Sequence, residues 1–301
     1  MDARRVAIVP TATSVTLDVA AQVAAAIQRQ ITEDFTPWWG IAGNVVAFAK
    51  LEDVPHDYFV IQLVGSLTQP GIEGFHYLDQ LGEPHALVRV DHEHWSMAVS
   101  HECLEMIADP SGSLTRTAPP PGQSAGAVEY LQEVCDPCQH FNYGYELNGI
   151  AVSDFYGPDY FDAQTKAGDQ YCITGKLPGP RTVLPGGYLS YRDAGGVWRK
   201  LLNIDNQETT IVVGQPAEMA GASYREWIDS HSRKLSHADT LRDLGTKHHA
   251  KTIERADHLK RQGEERRRFA ISRAKFYKAV LSSANRKKPV IVKSAKRRRL
   301  F

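Results

Sequence analysis

Short apolar runs, each closed by proline or a polar turn, predict strands at Arg5 to Val9, Val45 to Phe48, Tyr58 to Val64 and Ala86 to Val90. Pro10 closes the first. From Asp18 the period lengthens. Val19, Val23, Ile27 and Ile31 recur every four residues, which predicts a long amphipathic helix with Asp18 as its N-cap and Pro37 as its end. The glycines at 71 and 74 mark a loop. A second helix is predicted over Trp95 to Asp109, with Trp95, Val99, Met106 and Ile107 near helical spacing and Pro110 as the stop. Its flanks are strongly apolar, so it is expected to be buried.

Beyond it, Leu114 to Ala127 is rich in Pro, Gly, Ser and Thr and reads as an exposed loop, while Glu129 to Glu133 fits either a short helix or a strand. Phe141 to Ser153 predicts a hairpin, because Tyr143, Tyr145 and Leu147 alternate, Asn148-Gly149 is a strong turn pair, and Ile150 and Val152 alternate on the return. Phe155, Tyr156, Tyr160 and Phe161 are expected to pack in core and loops. A second hairpin is expected from Gly186 to Asn203, turning at Asp193 to Gly196 with Trp198 on its return. After Ala217 large apolar residues become scarce and helix formers dominate. Leu235, Leu241 and Leu244 form one narrow stripe there, and Phe269, Phe276 and Val280 another. The basic clusters at Lys287-Lys288 and Lys296 to Arg299 predict disorder at the end. The expected organisation is an α+β domain over 1–216 and a basic, largely helical extension over 217–301.

Charge sharpens that division. The chain is neutral overall, yet residues 231–301 hold 22 Lys and Arg against 6 Asp and Glu, a net of +16, and residues 1–230 hold 13 against 29, a net of −16. An acidic body with a basic extension predicts different partners for each. For 231–301 the expected partner is nucleic acid or another polyanion; docking on the acidic body is the rival. Aromatic residues for base stacking are scarce there, so binding is expected to follow charge rather than base sequence. No apolar run is long enough to span a bilayer, and Met1 to Arg5 leads straight into a strand without a secretory signal, so a cytoplasmic location is the expectation. Four cysteines do not make a disulfide scaffold.

The candidate chemistry sits on the Trp95 helix. His101 and Glu105 are four residues apart and share one face, with Glu102 beside His101. This His-Glu-x-x-Glu is one residue short of the His-Glu-x-x-His pattern that binds zinc through two histidines and activates water through the glutamate. Here a carboxylate replaces the second nitrogen ligand, which zinc accepts. The same four residues also occur as a solvated polar face. Two features favour a site: the helix is expected to be buried, where charges need partners, and an acidic segment follows, Glu133-Val-Cys-Asp136-Pro-Cys138, repeating the Asp109-Pro110 pair as Asp136-Pro137. His101 and Glu105 are therefore candidate ligands and Glu102 the candidate general base. Glu133 and Asp136 are candidates to complete the set, with Asp109 behind them. One His with several carboxylates also suits Mn, Mg or Ca. Cys135 and Cys138 with His140 lack a fourth ligand for a structural zinc site, and a local disulfide or two free thiols is expected instead. His248, His249 and His258 are expected to be solvated.

The order strand, long helix, three strands, helix with His-Glu resembles the N-terminal half of zincin-type metallopeptidases, in which a helix backs a twisted sheet and the next helix carries the metal ligands. The segments SHECLEMIADP, EYLQEVCDPC and NGIAVSDFYGPDYFD also resemble blocks shared by an uncharacterised group of bacterial proteins. The resemblance spans Arg5 to Trp198 and departs from the zincin motif at Glu105. It implies a zinc-dependent hydrolase acting on peptide bonds. The alternative, from another class, is a non-catalytic binding protein whose acidic cluster is structural.

Overall fold

The computed structural model describes residues 3–67, 72–79, 81–164, 168–216 and 223–232. The chain divides into a unit over Met1–Gly245 and a second over Thr246–Phe301. The apolar stripes, basic clusters and histidines expected beyond residue 232 lie outside the described residues.

The architecture is α+β. The elements run β1 (Arg4–Pro10), α1 (Leu17–Gln30), α2 (Thr36–Trp39), β2 (Gly43–Ala47), β3 (Tyr58–Val64), β4 (Gly74–Leu78), β5 (Pro84–Arg89), α3 (Trp95–Ala108), β6 (Thr115–Ala118), β7 (Val128–Leu131), β8 (Tyr145–Leu147), β9 (Ile150–Val152), β10 (Tyr188–Arg192), β11 (Trp198–Ile204) and β12 (Gln207–Gly214). A first sheet has the order β2-β1-β3-β5-β4. Its first four strands are parallel and β4 runs antiparallel along the edge. Side chains alternate across it. Val6, Ile8, Ile61, Leu63, Ala86 and Val88 enter the main core with α1 and α3, while Ala7, Val9, Val54 and Val60 form a smaller cluster on the other face.

The N-cap of α1 is Thr16, not Asp18: its side chain accepts from the Val19 N–H at 3.3 Å, and Asp18 sits in the first turn, where its charge favours the helix dipole. Pro37 does not end the helical run. Residues Ile31–Phe35 widen into a π-helical turn, Pro37 occupies the start of α2, and Gly40 in the left-handed conformation makes the stop.

The second sheet, β12-β11-β10-β7-β6, is antiparallel throughout. It includes the expected hairpin β10–β11 and extends it by β12 through a turn with Asp205 and Asn206 at positive φ. The run at Glu129 resolves as strand β7, and β6 crosses the stretch read as a loop. Hairpin β8–β9 turns at Asn148 and Gly149, both at positive φ, the pair required by a type I′ turn.

Helix α3 lies in the middle. From Val99 to Ala108 every residue is buried, including His101, Glu102 and Glu105. It packs on β3, β4 and β5 on one side and on β9 on the other. A buried polar relay fixes it: Ser100 Oγ donates to Gln30 Oε1 at 2.7 Å, Gln30 Nε2 donates to the Ser153 carbonyl at 2.7 Å, and Ser153 N donates to Ser100 Oγ at 3.1 Å. Among the described residues no helix is long and apolar enough to cross a membrane.

Candidate metal centre

Position four on a helix brings His101 and Glu105 together: His101 Nε2 lies 3.2 Å from Glu105 Oε2. The chain returns after β7 in a single 3-10 turn, Asp136–Cys138, which carries Asp136 Oδ1 to 3.4 Å from the same nitrogen. That turn sits against Gly187, whose ideal Cβ would meet the Pro137 carbonyl oxygen at 2.5 Å, so a side chain there would push Asp136 out of place. Cys135 follows the same path. Its N–H donates to Glu105 Oε1 at 3.2 Å, and one ligand atom each of His101, Glu105 and Cys135 fall within 4.8 Å of one another.

Glu102 faces a different partner. Its Oε2 is 2.8 Å from His76 Nδ1, on the edge strand β4, and the same nitrogen lies 3.8 Å from Glu105 Oε2. Strand β4 can come this close because Gly74 has no side chain; a Cβ there would stand 3.1 Å from Glu102 Oε1. Glu133 lies beyond, paired with the Arg225 guanidinium. Arg225 Nη1 also donates to Glu105 Oε2 at 2.6 Å, and its Nη2 is 4.0 Å from Glu102 Oε2. Residues 224–232 are helical, and the Arg225 side chain is 6% exposed. Thus the stretch after the compositional break at 217 supplies a buried cation to the body.

The predicted residues separate. His101 meets Glu105 and, separately, Asp136, and the group whose ligand atoms all lie within 4.8 Å of one another is His101, Glu105 and Cys135 rather than Asp136; Glu102 sits beside them on His76; Glu133 joins through Arg225. Asp109 does not join. Its carboxylate accepts from Ser111 N, Ser111 Oγ and Leu114 N at 3.0, 2.7 and 2.7 Å and shapes the turn after α3. All four cysteines are buried and unbridged. The His140 ring lies tilted against Phe141, with a centroid distance of 4.2 Å, and accepts from Asn142 N; it belongs to neither group that could share an ion among the described residues. Sequence reasoning missed His76 and Arg225. His76 lies on a strand of mixed sequence that begins at Gly74, and Arg225 is one of many basic residues in a segment set apart by composition.

Burial and charge compete throughout this cluster. Burial raises the Glu105 carboxyl, but the His101 and Arg225 charges overcome it and hold it far below the usual carboxylate range. Burial opposes protonation of His101, yet Glu105, Asp136 and Glu102 lift it well above 6.5. Asp136 is pushed up to about 7, first by burial and then by the Glu105 charge, with His101 pulling the other way. Burial and Glu105 also keep the Cys135 thiol protonated. The cluster thus combines a carboxylate that stays ionised, an imidazole that favours its proton, and a carboxyl raised to about 7.

The chain matches no protein-family model, no curated protein and no solved structure.

Proposed function

We propose that the protein is a metal-dependent hydrolase of zincin type, with peptide bonds as its substrates and zinc as its metal. The observation that carries this reading is His101 Nε2 facing the Glu105 and Asp136 carboxylates at 3.2 and 3.4 Å, with Glu102 alongside. One imidazole and two carboxylates fit zinc, and would also hold Mn, Mg or Ca. The order β1, α1, α2, four strands and then the His101 helix differs from the expected order by the added edge strand β4 and still supports the zincin likeness, as does the long helix α1 behind the sheet.

In this reading His101, Glu105 and Asp136 hold the ion, which when bound supplies a Lewis acid for the scissile carbonyl. Glu102 is the base that accepts the proton of the attacking water. His76 Nδ1, 2.8 Å from Glu102 Oε2, fixes the orientation of that carboxylate. Low exposure around Glu102 and Glu105 keeps the charges strong.

A second reading, a non-catalytic protein with a structural cluster, is favoured by Arg225, which already neutralises Glu105 and Glu133 without a metal. Metal content of full-length protein purified without chelator separates the two. On the hydrolase reading Glu102→Gln keeps the metal and loses about 10²–10⁴ in rate, and His101→Ala loses the metal. Protein that contains no metal and takes none up sinks the hydrolase reading.

For residues 231–301 we infer polyanion binding from the net charge of +16. Alanine at Lys287, Lys288, Lys296, Arg297, Arg298 and Arg299 is expected to weaken DNA or RNA binding and flatten its salt dependence. Absence of such binding by the full chain at low salt removes the inference.

A further inference from the structure

A second group of ligand atoms lies beside the first: His76, Glu105 and Glu133 each place one within 4.8 Å of the others. All three residues are buried. Arg225 already touches two of them, since Nη1 bonds Glu105 Oε2 and pairs with Glu133 Oε2. One guanidinium nitrogen therefore stands where an ion bridging those carboxylates would stand. Its fit is incomplete. Glu133 Oε1 and His76 Nε2 are buried with no hydrogen-bond partner among the described residues. Buried polar atoms left this way are costly. Four carboxylates, Glu102, Glu105, Glu133 and Asp229, also face the single charge of Arg225. A divalent cation would balance them better, and it takes imidazole nitrogen as a ligand.

We propose that Arg225 and a divalent cation are alternative occupants of the seat formed by His76, Glu105 and Glu133, so that the segment 223–232 is a plug on a second metal site. The inference rests on the metal-centre reading only in sharing Glu105, whose Oε2 faces both imidazoles and would bridge two ions. Carboxylate-bridged pairs of this kind hold ions about 3.5–4 Å apart.

The plug is held by contacts away from the seat as well as by Arg225 itself. Arg225 N donates to the Gly112 carbonyl at 2.9 Å, and Tyr224 N to Ser113 Oγ at 3.0 Å. Ser223 and Glu226 form a capping box: Ser223 N donates to Glu226 Oε2 at 3.0 Å and Glu226 N to Ser223 Oγ at 3.1 Å. Ile228 packs with Leu131, Trp198 and Val213, with Tyr224 and Trp227 against the same cluster; Arg192 Nη1 donates to Tyr224 Oη at 3.2 Å, and Lys200 pairs with Asp229 at 3.5 Å. Such a segment can be loosened at its cap without touching the seat.

The test is metal stoichiometry of full-length protein titrated with Zn²⁺ or Mn²⁺. Wild type is expected to take about one equivalent tightly and a second only weakly, whereas Arg225→Met takes about two tightly. Adding Glu133→Gln to Arg225→Met should return it to about one. Arg225→Met that folds and still binds the same number of ions as wild type overturns the proposal. Should Arg225→Met fail to fold, Glu226→Ala decides: loosening the cap is expected to tighten the second equivalent by about tenfold, and unchanged affinity overturns the plug. Zero equivalents in wild type with one in Arg225→Met would uphold this seat while removing the hydrolase reading. One in both removes the plug and leaves that reading standing.

Discussion

Metal uptake at His101, Glu105 and Asp136 is expected to expel protons, in a number that changes with pH. Ligands must be deprotonated to bind, so a group that carries its proton in the folded, metal-free protein must release it. His101 is raised well above 6.5, and Asp136 titrates near 7. Glu105, held far below the usual range, has no proton to give. At pH 6 a group titrating near 7 is roughly 90% protonated, and at pH 8 roughly 10%. The Asp136 share of the release should therefore be about one proton at pH 6 and close to none at pH 8, in addition to the proton held by His101. Affinity should then rise with pH about tenfold more steeply per pH unit near pH 6 than near pH 8. Calorimetric titration in two non-chelating buffers of different ionisation enthalpy reads the proton count directly. Asp136→Asn should remove the difference between the two values. A release that is zero at pH 6, or equal at pH 6 and pH 8 in wild type, refutes the reasoning.

The same shifts set the stability of the metal-free protein. Asp136 and His101 are raised on folding, so their contribution is present below the unfolded values and lost as pH rises through the folded ones. Melting temperature should therefore fall between about pH 4 and pH 7 more steeply in wild type than in Asp136→Asn; equal slopes count against the shift. Glu105→Gln removes one partner of a buried network and is expected to cost about 3–5 kcal/mol in urea denaturation, and a loss below about 1 kcal/mol would show that water reaches the cluster in solution. Leu104→Ala, in the fully buried stretch of α3, should cost about 2–5 kcal/mol by the same measurement.

Most of the first sheet is legible in the amino-acid sequence because parallel strands buried on both faces are continuous apolar runs, as at β1, β3 and β5. Helix α3 and the Asn148-Gly149 hairpin are legible for local reasons too, a proline stop and a turn that demands positive φ. What escapes is set by partners far along the chain. Strand β4 has a mixed sequence beginning at a glycine and is a strand because β5 pairs with it. Strand β12 carries Glu208, Thr209 and Thr210 exposed, which gives little apolar alternation. In the site, His101 and Glu105 follow from helical spacing, whereas the two Asp-Pro pairs look alike and differ in use: Asp136 meets His101 and Asp109 shapes a turn. His76 and Arg225 have no motif, since nothing local marks a strand edge or a basic segment as the neighbour of Glu102 and Glu105.

The long separation of Glu105 from its cation bears on how the chain is made. Arg225 follows Glu105 by 120 positions, so a ribosome delivers the helix, with His101 on it, well before it delivers the second of the two charges that do most to let Glu105 leave water ionised. At about 5–20 residues per second, the interval is roughly 6–24 seconds. Through that time Glu105 has His101, on its own helix, but not Arg225 to balance it, so a chain released before Arg225 emerges would carry a core in which Glu105 and Glu133 lack their buried guanidinium.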